Sequence, residues 1–152
     1  MRNESLQRLE ALVGEWTLTM THAWFLDDPD LEVQGHATIG WLGDAFLEVR
    51  ATLGTDQSTW HWIIGRSDAR EQFVLLYHDE RGVLRVFAMT FGDGAWTLVR
   101  EDPDFHQRFI ASVGPDRIDA RWEASEDAGR TWRKDFDLAF ERVLGSPAGT
   151  RD

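Results

Sequence analysis

The chain has 152 residues and a formal net charge of −11, from 16 basic and 27 acidic side chains. This length suits one domain around one core, and eight Trp with nine Phe exclude an acidic disordered chain, which would be poor in aromatics. The acidic balance argues against nucleic-acid binding, which needs basic groups to neutralise phosphates, and the lack of cysteine excludes disulfides and thiolate sites.

The start of the chain predicts a short helix and no targeting segment. Leu6, Leu9, Leu12 and Val13 share one face of a helix that Gly14 would end. The first ten residues contain no apolar stretch, and no run approaches the roughly 20 apolar residues of a membrane span. We therefore expect a cytoplasmic protein without a membrane partner.

From Trp16 onward the sequence alternates apolar and polar residues, which is typical of half-buried strands. Turn signals rich in Gly, Asp and Pro separate the runs. The predicted strands cover residues 16–24, 33–41, 47–53, 59–65, 72–78, 83–91, 95–101, 105–113, 117–125 and 131–143. About ten strands in succession leave no room for crossover helices. The sequence therefore predicts an all-β domain at 1–145, an antiparallel up-and-down barrel or a meander sandwich, followed by a flexible tail at 146–152.

The first strand opens with Gly14-Glu15-Trp16, and the last strand ends with Phe140-Glu141-Arg142-Val143. This layout resembles the calycin superfamily, the lipocalins and fatty-acid-binding proteins, whose first strand starts with Gly-x-Trp. In that superfamily the Trp closes the barrel floor and a basic residue of the last strand packs over it. The resemblance therefore implies a calycin-like barrel in which Trp16 and Arg142 form the floor. The segment 122–137 also resembles the closing hairpin of uncharacterised bacterial lipocalin-like domains.

Haem and metal cofactors are not expected. The nitrobindin-like haem barrels, a neighbouring branch, follow Gly-x-Trp with further alternating glycines and use a late His as iron ligand. This chain continues Thr17-Leu18-Thr19-Met20 and has no His after His106. Its five histidines also lack the i, i+2 or i, i+4 spacing of a compact metal site.

Strand parity identifies polar side chains that share a face with apolar ones. Ionisable groups in such stripes are costly unless they meet a partner, water or a ligand. The candidate ligand-binding residues are His22, Trp24, Trp62, Tyr77, Arg85, Met89, Gln107, Trp122 and Lys134. If Trp16 pairs with Arg142, Trp24 lies near Lys134, at the end away from the floor. An aromatic cavity with cations at one end suits a small apolar molecule with an anionic head.

The expected function is therefore non-catalytic binding of a small hydrophobic or amphipathic ligand. Fatty-acid-binding relatives hold an anionic head with Arg and Tyr, so the resemblance implies the same arrangement. One alternative is a barrel enzyme, an isomerase, cyclase or lyase, with His22 or another inward His as base and Arg85 or Lys134 steadying an oxyanion. No catalytic residue is assigned, because the sequence contains neither a nucleophile elbow nor a placed carboxylate pair.

A second alternative is an interaction protein. In this interpretation the barrel is solid, and part of its aromatic surface forms a homodimer interface. The suspected patch contains either Trp60 and Trp62 or the side that carries His61 and Ile63.

Overall fold

Ten strands form one sheet in the computed structural model, which describes residues 2–56, 58–143 and 145. The strands are β1 Gly14–Thr21, β2 Val33–Leu42, β3 Phe46–Leu53, β4 Ser58–Arg66, β5 Phe73–Asp79, β6 Leu84–Gly92, β7 Ala95–Glu101, β8 His106–Val113, β9 Arg117–Ser125 and β10 Arg133–Arg142. The predicted all-β fold is thus confirmed. The tail predicted at 146–152 lies outside the described residues.

The sheet closes into a barrel. Each strand pairs antiparallel with its neighbours in the chain, and β1 pairs with β10. Closure removes the unpaired edges that an open sheet would expose. Side chains alternate between the two faces, so that Ile118, Ala120 and Trp122 of β9 are buried whereas Asp119 and Arg121 are exposed.

The N-terminal segment covers one end of the barrel. Helix α1 spans Glu4–Gln7, and a 3₁₀ turn continues from it over Arg8–Leu12. The apolar side chains Leu6, Leu9 and Leu12 are all buried in the core, as their helical spacing predicts. Within the described ranges, no helix has the length and apolar character that a membrane crossing requires.

Trp16 and Arg142 join the first and last strands at this covered end. They are direct partners in the β1–β10 register. The Arg142 guanidinium carbon lies 4.2 Å from the Trp16 ring centre, and its Nη1 and Nη2 donate to the carbonyls of Val13 (2.7 Å) and Ala11 (3.0 Å). Trp16 Nε1 donates to the Leu12 carbonyl at 2.9 Å. The two side chains therefore tie the N-terminal segment to both closing strands.

Aromatic side chains fill the half of the barrel next to this end. Trp96 lies 5.0 Å from Phe109, 6.0 Å from Trp62 and 6.3 Å from Phe140, measured between ring centres. Most of these pairs are edge-to-face, the arrangement that aromatic quadrupoles favour. This half is therefore a packed core, and the inner cavity lies toward the opposite, open end.

Substitution of Arg142 tests this closure. Arg142→Ala uncovers the Trp16 ring and leaves main-chain carbonyls without their donor, so we expect the free energy of unfolding to fall by about 2–4 kcal/mol. Urea denaturation followed by Trp fluorescence measures the change. Arg117→Ala removes an exposed arginine of neighbouring β9 and should change stability by less than about 0.5 kcal/mol. Equal effects of the two substitutions would contradict the assigned role of Arg142.

Candidate functional site

An inner cavity of about 200 Å³ lies between the packed aromatic layer and the open end of the barrel. Strands β3 to β6 and β8 to β10 all contribute to its wall. It is lined by Leu53, Trp60, Trp62, Tyr77, Arg81, Arg85, Phe87, Gln107, Trp122, Phe136 and Leu138. A mostly aromatic wall with a few polar groups is usual for a small-molecule site.

Two polar atoms of the lining residues have no hydrogen-bond partner among the described residues. They are Nε1 of Trp62, a donor, and Oε1 of Gln107, an acceptor. Trp62 is only 1% exposed, so bulk solvent does not reach its indole. An unsatisfied buried polar group costs about 1–3 kcal/mol. A molecule in the cavity that offers one acceptor and one donor would remove both penalties.

Three polar residues form a hydrogen-bonded group in the wall of the inner cavity, on the side toward the mouth. Tyr77 Oη donates to Asp79 Oδ2 at 2.6 Å, and Arg81 Nε donates to the same oxygen at 3.1 Å. The Arg81 hydrogen bonds hold the pKa of Asp79 well below its usual range. Burial, together with the bond to ionised Asp79, raises the pKa of Tyr77 to about 12. The phenol therefore stays protonated, and Asp79 offsets the charge of Arg81.

Arg85 also lines the inner cavity. Unlike Arg81, it is not paired with a carboxylate of the described residues. Its guanidinium carbon lies 5.6 Å from the Tyr77 ring centre and 5.1 Å from that of Phe105. These are cation–π contacts, which leave the N–H groups of the guanidinium free to bind an anion. In the part of the chain that the structure describes, Arg85 forms no ion pair.

An outer mouth of about 510 Å³ continues from the inner cavity, since both are lined by Arg81, Arg85, Gln107 and Phe136. The mouth adds Trp24, Phe25, Arg133 and three acidic residues, Asp104, Glu126 and Asp135. Arg133 stacks over the Trp24 ring at 4.1 Å, and Trp24 Nε1 donates to Asp135 at 2.9 Å. Arg133, Trp24 and Asp135 therefore hold one another in place at the rim. Arg85 instead faces the space where the mouth joins the inner cavity.

The structure brings five of the nine candidate ligand-binding residues together. Trp62, Tyr77, Arg85, Gln107 and Trp122 line the inner cavity. Two others lie elsewhere along the barrel axis. Trp24 is 53% exposed at the mouth, and Met89 is fully buried and does not line the inner cavity.

His22 and Lys134 lie on the outside of the barrel, not on the inner face that strand parity predicts. β1 ends at Thr21, and His22 has a φ of 57°, so the alternation stops before it. In β10 a bulge between Lys134 and Phe136 inserts a residue and reverses the parity of Lys134. Both side chains contact Asp137 Oδ2, His22 at 2.7 Å and Lys134 at 3.0 Å.

The candidate ligand-binding residues predicted from the sequence did not include Asp79, Arg81 or Trp60. Trp60 stands two residues before Trp62, so parity alone carried the signal that both face the cavity. Arg81 belongs to the Asp79-Glu80-Arg81-Gly82 turn, where sequence patterns predict a bend and do not give the direction of a side chain. Its position depends on the hydrogen bonds to Asp79, a tertiary property.

The ionisation of Tyr77, the single tyrosine of the chain, tests the polar group. At about pH 10.5 a tyrosine of ordinary pKa is about three-quarters ionised, whereas Tyr77, with a pKa of about 12, stays protonated in the folded protein. Because the folded pKa is the higher one, stability falls as the pH rises from 10 toward 12. We expect phenolate absorbance at about pH 10.5 only after urea is added. Phenolate absorbance in the folded protein at that pH would contradict the assignment.

Comparisons with known proteins support the fold alone. The chain is similar to the crystal structure of Rv2717c from M. tuberculosis, with a TM-score of 0.69, 12% sequence identity, and coverage of 94% of this chain and 99% of that chain. No family model matches the chain, and no curated protein matches it. The ten-stranded antiparallel barrel therefore fits a calycin-like barrel at the level of fold.

Proposed function

We propose that the protein binds a small amphipathic molecule with an anionic group, without catalysis, in the inner cavity and mouth of the barrel. The observation that carries this proposal is the placement of two unsatisfied polar atoms, of Trp62 and Gln107, beside the uncompensated Arg85 in one aromatic cavity. The function would be lipocalin-like, and the cytoplasmic location expected from the sequence is part of the same proposal.

The apolar part of the ligand is expected in the inner cavity. Trp60, Trp62, Phe87 and Trp122 present ring surfaces there, which suit a flat aromatic group or a short chain. At about 200 Å³ this space is smaller than the roughly 300–1,000 Å³ of usual ligand pockets. The ligand is therefore small, and its polar end extends into the mouth.

The polar end is expected at Arg85. Although the chain carries a net charge of −11, which repels anions at long range, Arg85 acts at short range in a partly desolvated site. Trp62 Nε1 in the inner cavity and Gln107 Oε1 at the junction of cavity and mouth would supply one donor and one acceptor. An acid with a second polar group on its apolar body matches this arrangement better than a plain hydrocarbon acid.

The residues that line the inner cavity supply no base for the enzyme alternative. None of the five histidines lines the inner cavity. Tyr77 stays protonated because its pKa is raised to about 12, and Asp79 is held ionised and occupied by Arg81. A binding role therefore uses the observed polar groups more fully than a catalytic one.

Binding of naphthoate, a bicyclic carboxylate, tests the proposal against naphthamide, its neutral counterpart. By isothermal titration calorimetry we expect naphthoate to bind more tightly, and Arg85→Gln to weaken naphthoate about tenfold or more while leaving naphthamide unchanged. Arg121→Gln, on the outer face of β9, is the matched control and should change neither. Equal binding of the two compounds, or an intact affinity in Arg85→Gln, would refute the anionic site.

The outer face of β5 to β8 favours a homodimer as a second candidate function. Exposed apolar side chains collect there: Val74, Leu84, Val86, Val99 and Ile110. The outward positions of β5 and β6 carry no acidic side chain, and Glu101 at the end of β7 is exposed on this face, so carboxylate repulsion between two copies of this acidic chain is smallest at β5 and β6. The His61 and Ile63 side adjoins this face, since Ile63 pairs with Leu76, whereas Trp62 is buried in the interior.

Sedimentation velocity tests the dimer. Val86 is 53% exposed at the centre of this face, so Val86→Glu should leave the fold intact and shift a dimer to monomer by desolvating a charge at the interface. Thr38→Glu, at an exposed position of β2 outside this face, serves as the control and should have little effect. A wild-type protein that sediments as a monomer at every concentration would exclude this candidate.

A further inference from the structure

Two histidines that are far apart in sequence meet on the outer face of the barrel. His61 of β4 and His78 of β5 are direct partners in the strand register. Nδ1 of His61 lies 2.6 Å from Nε2 of His78, and the two rings are 4.5 Å apart and nearly perpendicular. Both imidazoles are partly accessible from a groove of about 570 Å³ that also contains Arg50 and Glu80.

A carboxylate orients one of these rings. His61 Nε2 lies 2.8 Å from Glu48 Oε2, and Arg50 donates to the same oxygen at 3.0 Å, which holds the carboxylate in place. Because Glu48 accepts a hydrogen bond from Nε2, the proton of neutral His61 stays on Nε2 and the lone pair of Nδ1 points toward His78. A carboxylate behind an imidazole is the arrangement that fixes the tautomer and raises the basicity of metal-binding histidines.

We propose that His61 Nδ1 and His78 Nε2 together bind one divalent transition-metal ion, with Glu48 as the positioning residue. Nitrogen ligands at about 2.0–2.1 Å from an ion are about 2.9 Å apart at right angles and about 3.4 Å apart in a tetrahedron. The observed 2.6 Å separation needs a small opening and a rotation of the rings about a soft torsion. When the ion binds, His78 Nε2 gives up its proton to solvent and Nδ1 of the same ring takes one up, so both imidazoles coordinate in the neutral form.

The nitrogen–nitrogen distance expected for ligands at right angles is closer to the observed 2.6 Å than the tetrahedral distance is. This favours Cu²⁺ or Ni²⁺, which accept ligands at right angles, over tetrahedral Zn²⁺. The described residues contain no group of three or more His, Asp or Glu side chains that could hold a metal ion. Water would therefore complete the coordination. The net charge of −11 attracts cations to the surface, Glu48 offsets the positive charge of Arg50, and Glu80 adds a carboxylate to the groove.

Copper binding tests the site directly. Titration of the 152-residue chain with Cu²⁺ should give one tight ion per chain, and pulsed electron paramagnetic resonance should count two coordinated imidazoles. This count needs no variant, so it holds even if a substitution disturbs folding. A spectrum with one imidazole or none at the tight ion would overturn the proposal, as would the absence of a tight ion.

Variants separate this pair from the other histidines. His61→Asn and His78→Asn should each lower Cu²⁺ affinity at least tenfold, whereas His106→Asn, at the start of β8, should leave it unchanged. Glu48→Gln should lower affinity by about tenfold through the weaker hydrogen bond to His61 while both imidazoles remain in the spectrum. Thermal denaturation without metal establishes that the variants fold. Unchanged affinity in both His variants would overturn the assignment.

Discussion

The pairing of β1 with β10 closes the sheet, and the positions of the other side chains depend on that closure. The register places Trp16 opposite Arg142, so one cation–π contact joins the two ends of the barrel wall. The hydrogen bonds of Arg142 then hold the N-terminal segment against the same end. Once this end is covered, the inner face is separated from solvent and only the opposite end can admit a molecule.

The distribution of aromatic and charged side chains divides the interior into two functional halves. Rings around Trp96 and Phe109 pack against one another in the covered half. Toward the open end the rings separate, and Arg81, Arg85 and Gln107 enter the wall. Asp79 satisfies Arg81, so the positive charge available to a ligand is that of Arg85. The location of the proposed site thus follows from where the core stops.

One strand pairing determines both proposed sites. In the β4–β5 register, Trp62 is opposite Tyr77 on the inner face, and the next positions, His61 and His78, are opposite each other on the outer face. Because side chains alternate at each residue, a shift of one position would exchange the two pairs between cavity and solvent. The organic ligand inside and the metal ion outside are therefore separate proposals that rest on the same backbone geometry.

Alternation of apolar and polar residues was enough to predict the strands, their antiparallel order and the inward direction of Trp62, Tyr77 and Arg85. That success has a simple cause, since the two-residue period of a strand is a local property that the sequence records directly. The same reasoning failed at His22 and Lys134, where a left-handed residue and a bulge interrupt the period. Neither interruption leaves a distinct mark in composition.

The sequence by itself determined an acidic all-β barrel whose inner face is rich in tryptophan and carries a few polar groups. Only the tertiary structure decided which of those groups share a cavity, because that depends on registers between strands that are distant in the chain. It paired Asp79 with Arg81 and left Arg85 available, and it brought His61 to His78 across 17 positions of sequence. Local patterns encode the direction of a side chain, whereas its neighbours are set by closure of the whole sheet.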